Sequence, residues 1–435
     1  MAATLETTGS LERRLNITVP MADINSEVEN RLKRLARNVK MAGFRPGKVP
    51  LKVVAQQYGD QVKREVLGDV LEKSFGEAVR EQNLKVAGMP RFEPRSELDA
   101  PDQFEASATF EIYPEVALGD LAQSAVKRPV VEVGEADVDK TIDIMRRQRA
   151  TYEPVTRAAA AGDQVVMDYR GTIDGQEFQG GAAQGAPVVV GEGRLLPDFE
   201  KNLIGAAAGE SRTFELRFPD DYGAKDVAGK TAVFEVTLRQ VGEQKLPPVD
   251  ADFARALGVA DGDVAKMRAE VRANLEREVK ARVKAKVKDQ AMQGLVDTAK
   301  LEVPKSLVQM EIERLAQGAR QDLEARGVKV GSAPLPPDLF EPQAARRVTL
   351  GLILAEVVKA HGLQARPEQV RAVVEEQAQT YERPDEVVKW FYQSPDRLRD
   401  IEAMVVEDNV VDWVLKSAKV EDVPTAFDDL MGAPK

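Results

Sequence analysis

Between residues 155 and 245 the chain changes its grammar, and that change limits what the whole can fold into. Glycines recur at 171, 175, 180, 181, 185, 191 and 193, and short apolar runs alternate between them. Val165-Val166-Met167-Asp168-Tyr169-Arg170-Gly171 reads as a strand, and Asp174-Gly175 stands between extended runs as a hairpin turn. Two further strands are expected near 214–218 and 232–241. On either side the apolar residues return at helical spacing. A period-two segment cannot share one layer with long helices, so this stretch is expected to form its own β-rich unit inside a helix-rich chain.

The segment before it, residues 1–115, reads as α+β. Leu11, Leu15, Ile17 and Val19 suggest a strand ending at Pro20, and a helix follows through Val28, Leu32, Leu35 and Val39. The loop Gly43-Phe44-Arg45-Pro46-Gly47-Lys48-Val49-Pro50 interrupts the helical pattern, which resumes from Val53 to Val79. Two strands, 85–94 and 104–112, close the unit, the second alternating as Phe104, Ala106, Ala108, Phe110 and Ile112.

Residues 116–154 form a connector with a helix over 137–149. After Lys245-Leu246-Pro247-Pro248 the chain is helical to residue 435, with an acidic tail from about 424 that reads as disordered. Met267, Val271, Leu275, Val279, Val283, Val287, Ala291 and Leu295 recur every fourth residue. At 3.6 residues per turn such a line drifts about 40° per step, so it winds around the helix and meets different neighbours at the two ends. Ser394-Pro395-Asp396 reads as an N-cap with proline in the first turn. A multidomain α+β chain is therefore expected.

Composition narrows the chemistry. The 435 residues include no cysteine and one histidine, His361, so disulfides, thiolate metal sites and cysteine nucleophiles are excluded. His361 precedes Gly362 at an expected helix end, where an imidazole interacts with terminal carbonyls. A net charge of −11 argues against a general nucleic-acid binder. The glycine stretch holds neither G-x-x-x-x-G-K-[ST] nor G-x-G-x-x-G, so no nucleotide loop is expected. Neither a metal nor a cofactor is called for. With no apolar run of about 18 residues and no apolar leader, a cytoplasmic protein is expected, with no membrane partner and no free nucleic acid.

Two places carry a functional signal. In the loop over 43–50, Phe44 offers a stacking or insertion surface, Arg45 a planar fork and Lys48 a point charge, which suits RNA phosphate or an acidic protein. From spacing alone, an ordinary basic turn with Phe44 folded inward is the commoner reading. The loop resembles the ribosome-docking signature of the trigger factors, a family of bacterial chaperones. That resemblance implies that Gly43, Phe44, Arg45, Pro46, Gly47 and Lys48 bind the ribosomal large subunit near the nascent-chain exit. Pro46 departs from the lysine common in the family at that position.

The β-rich unit is similar to FKBP-type peptidyl-prolyl isomerases. The similarity runs through Asp168-Tyr169-Arg170-Gly171, Asp174-Gly175-Gln176-Glu177-Phe178, Leu195-Leu196-Pro197-Asp198-Phe199-Glu200, Phe218-Pro219-Asp220-Asp221-Tyr222-Gly223 and Val233-Phe234-Glu235-Val236. It implies a proline pocket lined by Tyr169, Phe178, Leu195, Leu196, Phe199, Tyr222 and Phe234, with Phe199 as its floor. Gln179 stands where many FKBPs carry aspartate, and Ala186 where trigger factors often place an aromatic. The family further implies an FKBP-like domain inserted into a discontinuous helical chaperone domain with arms. Unfolded and nascent polypeptides would be the partners, no ATP would be used, and a homodimer would form off the ribosome. A free FKBP-type isomerase whose helical part only recruits substrate is the alternative, and a structural adaptor scaffolding a complex is a third class.

Overall fold

The computed structural model describes residues 2–42, 44, 48–96, 102–328, 335–379, 381 and 383–432. They gather into two compact units. One holds residues 1–128 and 285–423, the other 129–284 and 424–435.

In the first unit, β1 (Ala2–Thr7), β2 (Glu12–Pro20), β3 (Val86–Pro94) and β4 (Gln103–Ile112) make an antiparallel sheet in the order β1-β2-β4-β3. Leu15, Ile17 and Val19 of β2 lie opposite Ala108, Ala106 and Phe104 of β4. All six are buried, since period-two alternation puts them on one face and mostly pairs a large side chain with a small one. Helices α1 (Met21–Asn38) and α2 (Leu51–Glu81) supply Ile24, Leu32, Val54, Val62, Val66 and Leu71 to the same core. The strand β1 was not foreseen. Its residues alternate little in hydropathy, and only pairing with β2 fixes it.

Further along come β5 (Ala125–Val130), α3 (Glu135–Gln148) and β6 (Thr151–Val155). The β-rich unit then follows as expected: β7 (Gln164–Ile173), β8 (Gln176–Val189), α4 (Pro197–Leu203), β9 (Ser211–Arg217) and β10 (Thr231–Lys245). The order is β6-β10-β7-β8. The other edge of β10 is shared, β9 pairing with its first half and β6 with its end. Asp174 and Gly175 both have positive φ, 51° and 78°, between the paired Ile173 and Gln176. That is the two-residue turn which matches the twist of a hairpin.

The helical remainder comprises α5 (Ala251–Ala256), α6 (Val264–Thr298), α7 (Lys305–Ala325), α8 (Glu341–His361), α9 (Pro367–Ala378), α10 (Pro384–Tyr392) and α11 (Pro395–Ser417). The drifting stripe of α6 behaves as its period demands. Met267, Val271 and Leu275 join Val138, Ile142, Phe253 and Val259 in a core of the second unit. Val287, Ala291 and Leu295 are buried in the first. Helices α9, α10 and α11 share a core of Val370, Val374, Ile401 and Val405 with Phe391 and Leu398 against it. Pro395 opens α11 at its first position, but the Ser394 side chain makes no capping bond. His361 ends α8, Gly362 follows in the left-handed conformation, and the imidazole lies 4.3 Å from the Trp413 ring.

One expectation is overturned. The segment after Val423 is ordered through Gly432. Strand β11 (Lys419–Pro424) pairs with β5, and Arg128 grips Asp422 through two bonds of 2.6 and 2.8 Å. Helix α12 (Phe427–Met431) then buries Leu430 and packs Phe427 against the Val138 core. The Lys140 ammonium reaches Asp428 at 2.7 Å, and Arg282 donates to the Met431 carbonyl at 2.9 Å. An acidic composition suggests solvation only while no cation waits elsewhere in the chain, and local reading does not see Lys140 or Arg282.

Candidate functional site

The β-rich unit folds around a ring of aromatic side chains brought together by five elements. Tyr169 comes from β7, Phe178 from β8, Phe199 from α4, Phe214 from β9 and Phe234 from β10. Pairing Phe234 with Gly171 lays its ring over the glycine, where an added Cβ would stand 2.6 Å from Phe234 Cε1. Only glycine permits that approach. Phe199 stands edge-on to Phe214 and Phe234 at 5.1 Å each, and Tyr169 stands edge-on to Phe199 at 6.3 Å. Phe178 meets Phe218 at 5.8 Å, and Phe218 meets Tyr222 at 4.9 Å.

All of these rings except Phe214 line a cavity of about 400 Å3. All seven residues implied by the resemblance line it: Tyr169, Phe178, Leu195, Leu196, Phe199, Tyr222 and Phe234. Phe199 is buried, whereas Tyr222 stands 40% exposed, and among the described residues its hydroxyl has no hydrogen-bond partner. Gln179 also lines the cavity; Ala186 does not, lying opposite Met167 on the β7–β8 pairing. The sequence reading missed Met167, Leu216, Phe218 and Val227 as lining residues. Met167 lies two residues before Tyr169 and Leu216 two after Phe214, so strand periodicity was the available signal.

Two carboxylates hold the frame. Glu200 is buried, and its Oε1 accepts from the Gly193 N–H at 3.1 Å and from Leu195 at 3.5 Å, which ties the cavity loop to α4. Asp163, also buried, takes both arms of the Arg157 fork at 2.5 and 3.0 Å and the Ala160 N–H at 2.9 Å. Burial pushes the Asp163 carboxyl up, but the Arg157 hydrogen bonds and the Ala160 N–H outweigh it and hold it below the usual carboxylate range. Asp168 is lowered too, first by Arg239 and then by the Gly185 N–H. Neither Asp163 nor Asp168 lines the cavity. Its walls therefore offer surface and shape, with no carboxylate or imidazole to move a proton.

The second candidate lies between α1 and α2. Val49 is buried in the sheet–helix core, and Val39 and Met41 are packed against that core, so both feet of the connection are fixed. Between them Phe44 is 39% exposed, its N–H donating to the Met41 carbonyl at 3.2 Å, and Lys48 is exposed. Gly43, Arg45, Pro46 and Gly47 lie outside the described residues. On α1, Arg31 is paired with Asp69 and Lys33 with Glu29, while Arg34 and Arg37, and Lys40 just past the helix end, are exposed. The inward-folded alternative for Phe44 finds no support, since this ring is not part of the core cluster. Among the described residues no three acidic or imidazole side chains stand together as a metal site, and no helix is long and apolar enough to cross a membrane.

Residues 1–145 match the family model described as bacterial trigger factor protein, and residues 263–416 match its C-terminal counterpart. Residues 155–239 match the model of FKBP-type peptidyl-prolyl cis-trans isomerases. A trigger factor from Nitrosospira multiformis is 57% identical over 433 residues, 99% of this chain and 100% of its own length. Those of Aromatoleum aromaticum and Laribacter hongkongensis are 55% and 54% identical, each over 99% of this chain and at least 99% of theirs. With both ends, the inserted isomerase unit and the full length of curated relatives in agreement, the chain belongs to the bacterial trigger factors, ribosome-associated chaperones that carry an FKBP-type peptidyl-prolyl isomerase domain.

Proposed function

We propose that the aromatic cavity is where this chaperone isomerises X–Pro bonds, with Phe199 as floor, Tyr169, Phe178, Leu195, Leu196 and Phe234 as walls, and Tyr222 at the rim. The convergence of these seven residues on one cavity whose described lining holds no carboxylate or imidazole carries the reading. An amide rotating about its C–N bond loses its resonance and must climb about 18–20 kcal/mol. No proton has to move. A concave apolar wall favours the twisted amide, which is less conjugated and less polar, over the planar one. That differential binding is what lowers the barrier. The Tyr222 hydroxyl would donate to a substrate carbonyl and hold its orientation while the bond turns.

The loop over 43–50 is proposed to dock on the large subunit near the nascent-chain exit. Phe44 would insert against a protein or base surface, with Arg45 and Lys48 meeting phosphate or carboxylate. The fixed feet at Val39, Met41 and Val49 support this, because a connection anchored at both ends has less freedom to lose on binding. The division into residues 1–115, 116–154, 155–245 and 246–435 belongs to the same reading. The first docks, the third isomerises, and the second and fourth together shelter unfolded and nascent chains. A cytoplasmic location and a homodimer off the ribosome complete it.

Co-sedimentation with bacterial ribosomes tests the docking. The intact chain is expected to pellet with ribosomes, and a variant with Phe44, Arg45 and Lys48 all changed to alanine is expected to stay in the supernatant. Failure of the folded parent to pellet would favour a free isomerase. Pelleting by the triple variant would move the docking surface elsewhere.

A further inference from the structure

Among the described residues, one charged side chain lines the aromatic cavity. Arg194 stands in the loop between β8 and α4, next to Leu195 and Leu196, and every other lining side chain is apolar, aromatic or neutral. The loop presents it in a fixed way. Glu200, buried beneath, accepts from the N–H groups of Gly193 and Leu195, the residues on either side of Arg194. Gly193 has φ +70°, a turn that a residue with a side chain would resist. The backbone of Arg194 is thus pinned on both flanks, while its guanidinium stays 77% exposed at the cavity mouth.

Among the described residues this guanidinium has one ionic partner, Glu192, at 3.2 Å. Glu192 is outside the cavity lining and 42% exposed, so the pair is a surface contact that contributes little and yields readily to a competing carboxylate. A peptide seated with its proline against Phe199 and Phe234 must pass its neighbouring side chains across the mouth where Arg194 stands. An acidic side chain passing there can displace Glu192 from the guanidinium, and the apolar wall beside it weakens the screening of that contact by water.

We propose that Arg194 makes this cavity select X–Pro bonds flanked by an acidic side chain. Its contact is made with the planar and the twisted amide alike, so the selection acts on substrate capture and not on the rotation step. The inference rests on the cavity being the isomerase site, and its failure is separable from failure of that reading.

The test uses the intact chain and short proline peptides carrying Glu, Ala or Lys immediately before or immediately after the proline, assayed at low salt. The Glu peptide of at least one series is expected to exceed its Lys counterpart in kcat/KM by about three- to five-fold, the size of one exposed charge contact, carried by KM. About 1 M salt should erase the difference, since the screening length falls to roughly 3 Å. Arg194→Lys should keep the preference, Arg194→Glu should invert it, and Glu192→Gln should widen it. Equal values for Glu and Lys in both series of the parent would overturn the proposal. So would a preference that survives unchanged in Arg194→Glu, a variant whose fold circular dichroism can check. An inactive parent, or full activity in Phe199→Ala, would instead remove the cavity reading and this inference with it.

Discussion

The N-terminal sheet and the isomerase sheet are built alike and finished differently. Each is antiparallel, each is covered by helix, and each carries edge-on phenylalanines. In the first, Phe75 fits against Phe110 at 5.0 Å and Phe92 at 5.8 Å, and small partners such as Ala106 and Ala108 let two helices settle onto the strands. In the second, α4 has only seven residues, and the large rings stand edge to face around space they do not fill. Rings have few rotamers and prefer these tilted contacts, so a collar of them resists collapse. A sheet becomes a site here because its cover is too short to fill it.

Cutting one floor residue from each core breaks the comparison most sharply. Phe104 in β4 and Phe199 in α4 are both buried, so each change to alanine is expected to cost about 3–5 kcal/mol in the stability of its own region. Differential scanning calorimetry reads those losses. Only Phe199→Ala should also lower proline isomerisation, by at least ten-fold, about 1.4 kcal/mol of lost contact with the turning amide. Phe104→Ala, assayed while folded, should isomerise as the parent does. A comparable drop in both variants would mean that the cavity depends on the whole chain.

A subtler change sharpens the same contrast. Gly171→Ala places a methyl 2.6 Å from the Phe234 ring, which must tilt because the strand pairing holds the backbone. The expected cost is about 1–3 kcal/mol, with a several-fold loss of isomerase activity as the wall shifts. Thermal melting and the peptide assay together check it. In the N-terminal sheet Ala108 faces Leu15, and the corresponding close approach is already made with a Cβ in place. Ala108→Gly should cost only about 0.5–1 kcal/mol, an entropic effect with no change at the cavity.

These contacts also show what could be read in advance. The hairpin at Asp174-Gly175 and the alternations of β2 and β4 are local, and they were legible because period and turn chemistry fix them. The seven cavity residues were legible only as a resemblance, since no spacing rule joins Phe178 to Tyr222, 44 positions further on. Strands β1, β5, β6 and β11 escaped because each is defined by a partner distant in sequence or by an edge. Helix α12 escaped for a related reason. Its acidic first turn is held by Lys140, about 290 residues away, and its last carbonyl by Arg282, about 150 away.

The buried polar groups divide the two regions once more. Those of the N-terminal core are hydroxyls, Ser74 and Ser107; those of the isomerase unit are the carboxylates Asp163 and Glu200. Acid should therefore loosen the isomerase unit first. The folded state holds Asp163 below its usual range, so the unfolded chain takes up a proton before the folded one does. Stability from this group is complete above the ordinary carboxylate pKa of about 4 and falls as the pH drops from there through the lowered folded value. Asp168, lowered by Arg239 and Gly185, adds to the same slope. Asp163→Asn keeps an acceptor for the Ala160 N–H but leaves Arg157 without its buried charge, with Glu243 at 2.9 Å as a partial substitute. The expected loss is about 1–2 kcal/mol at neutral pH and smaller at about pH 3, below the ordinary carboxylate value, because the parent loses this contribution as the pH falls towards its lowered folded value. Urea unfolding followed at both pH values decides the matter, and an equal penalty at the two would assign the role of Asp163 to its shape and not to its charge.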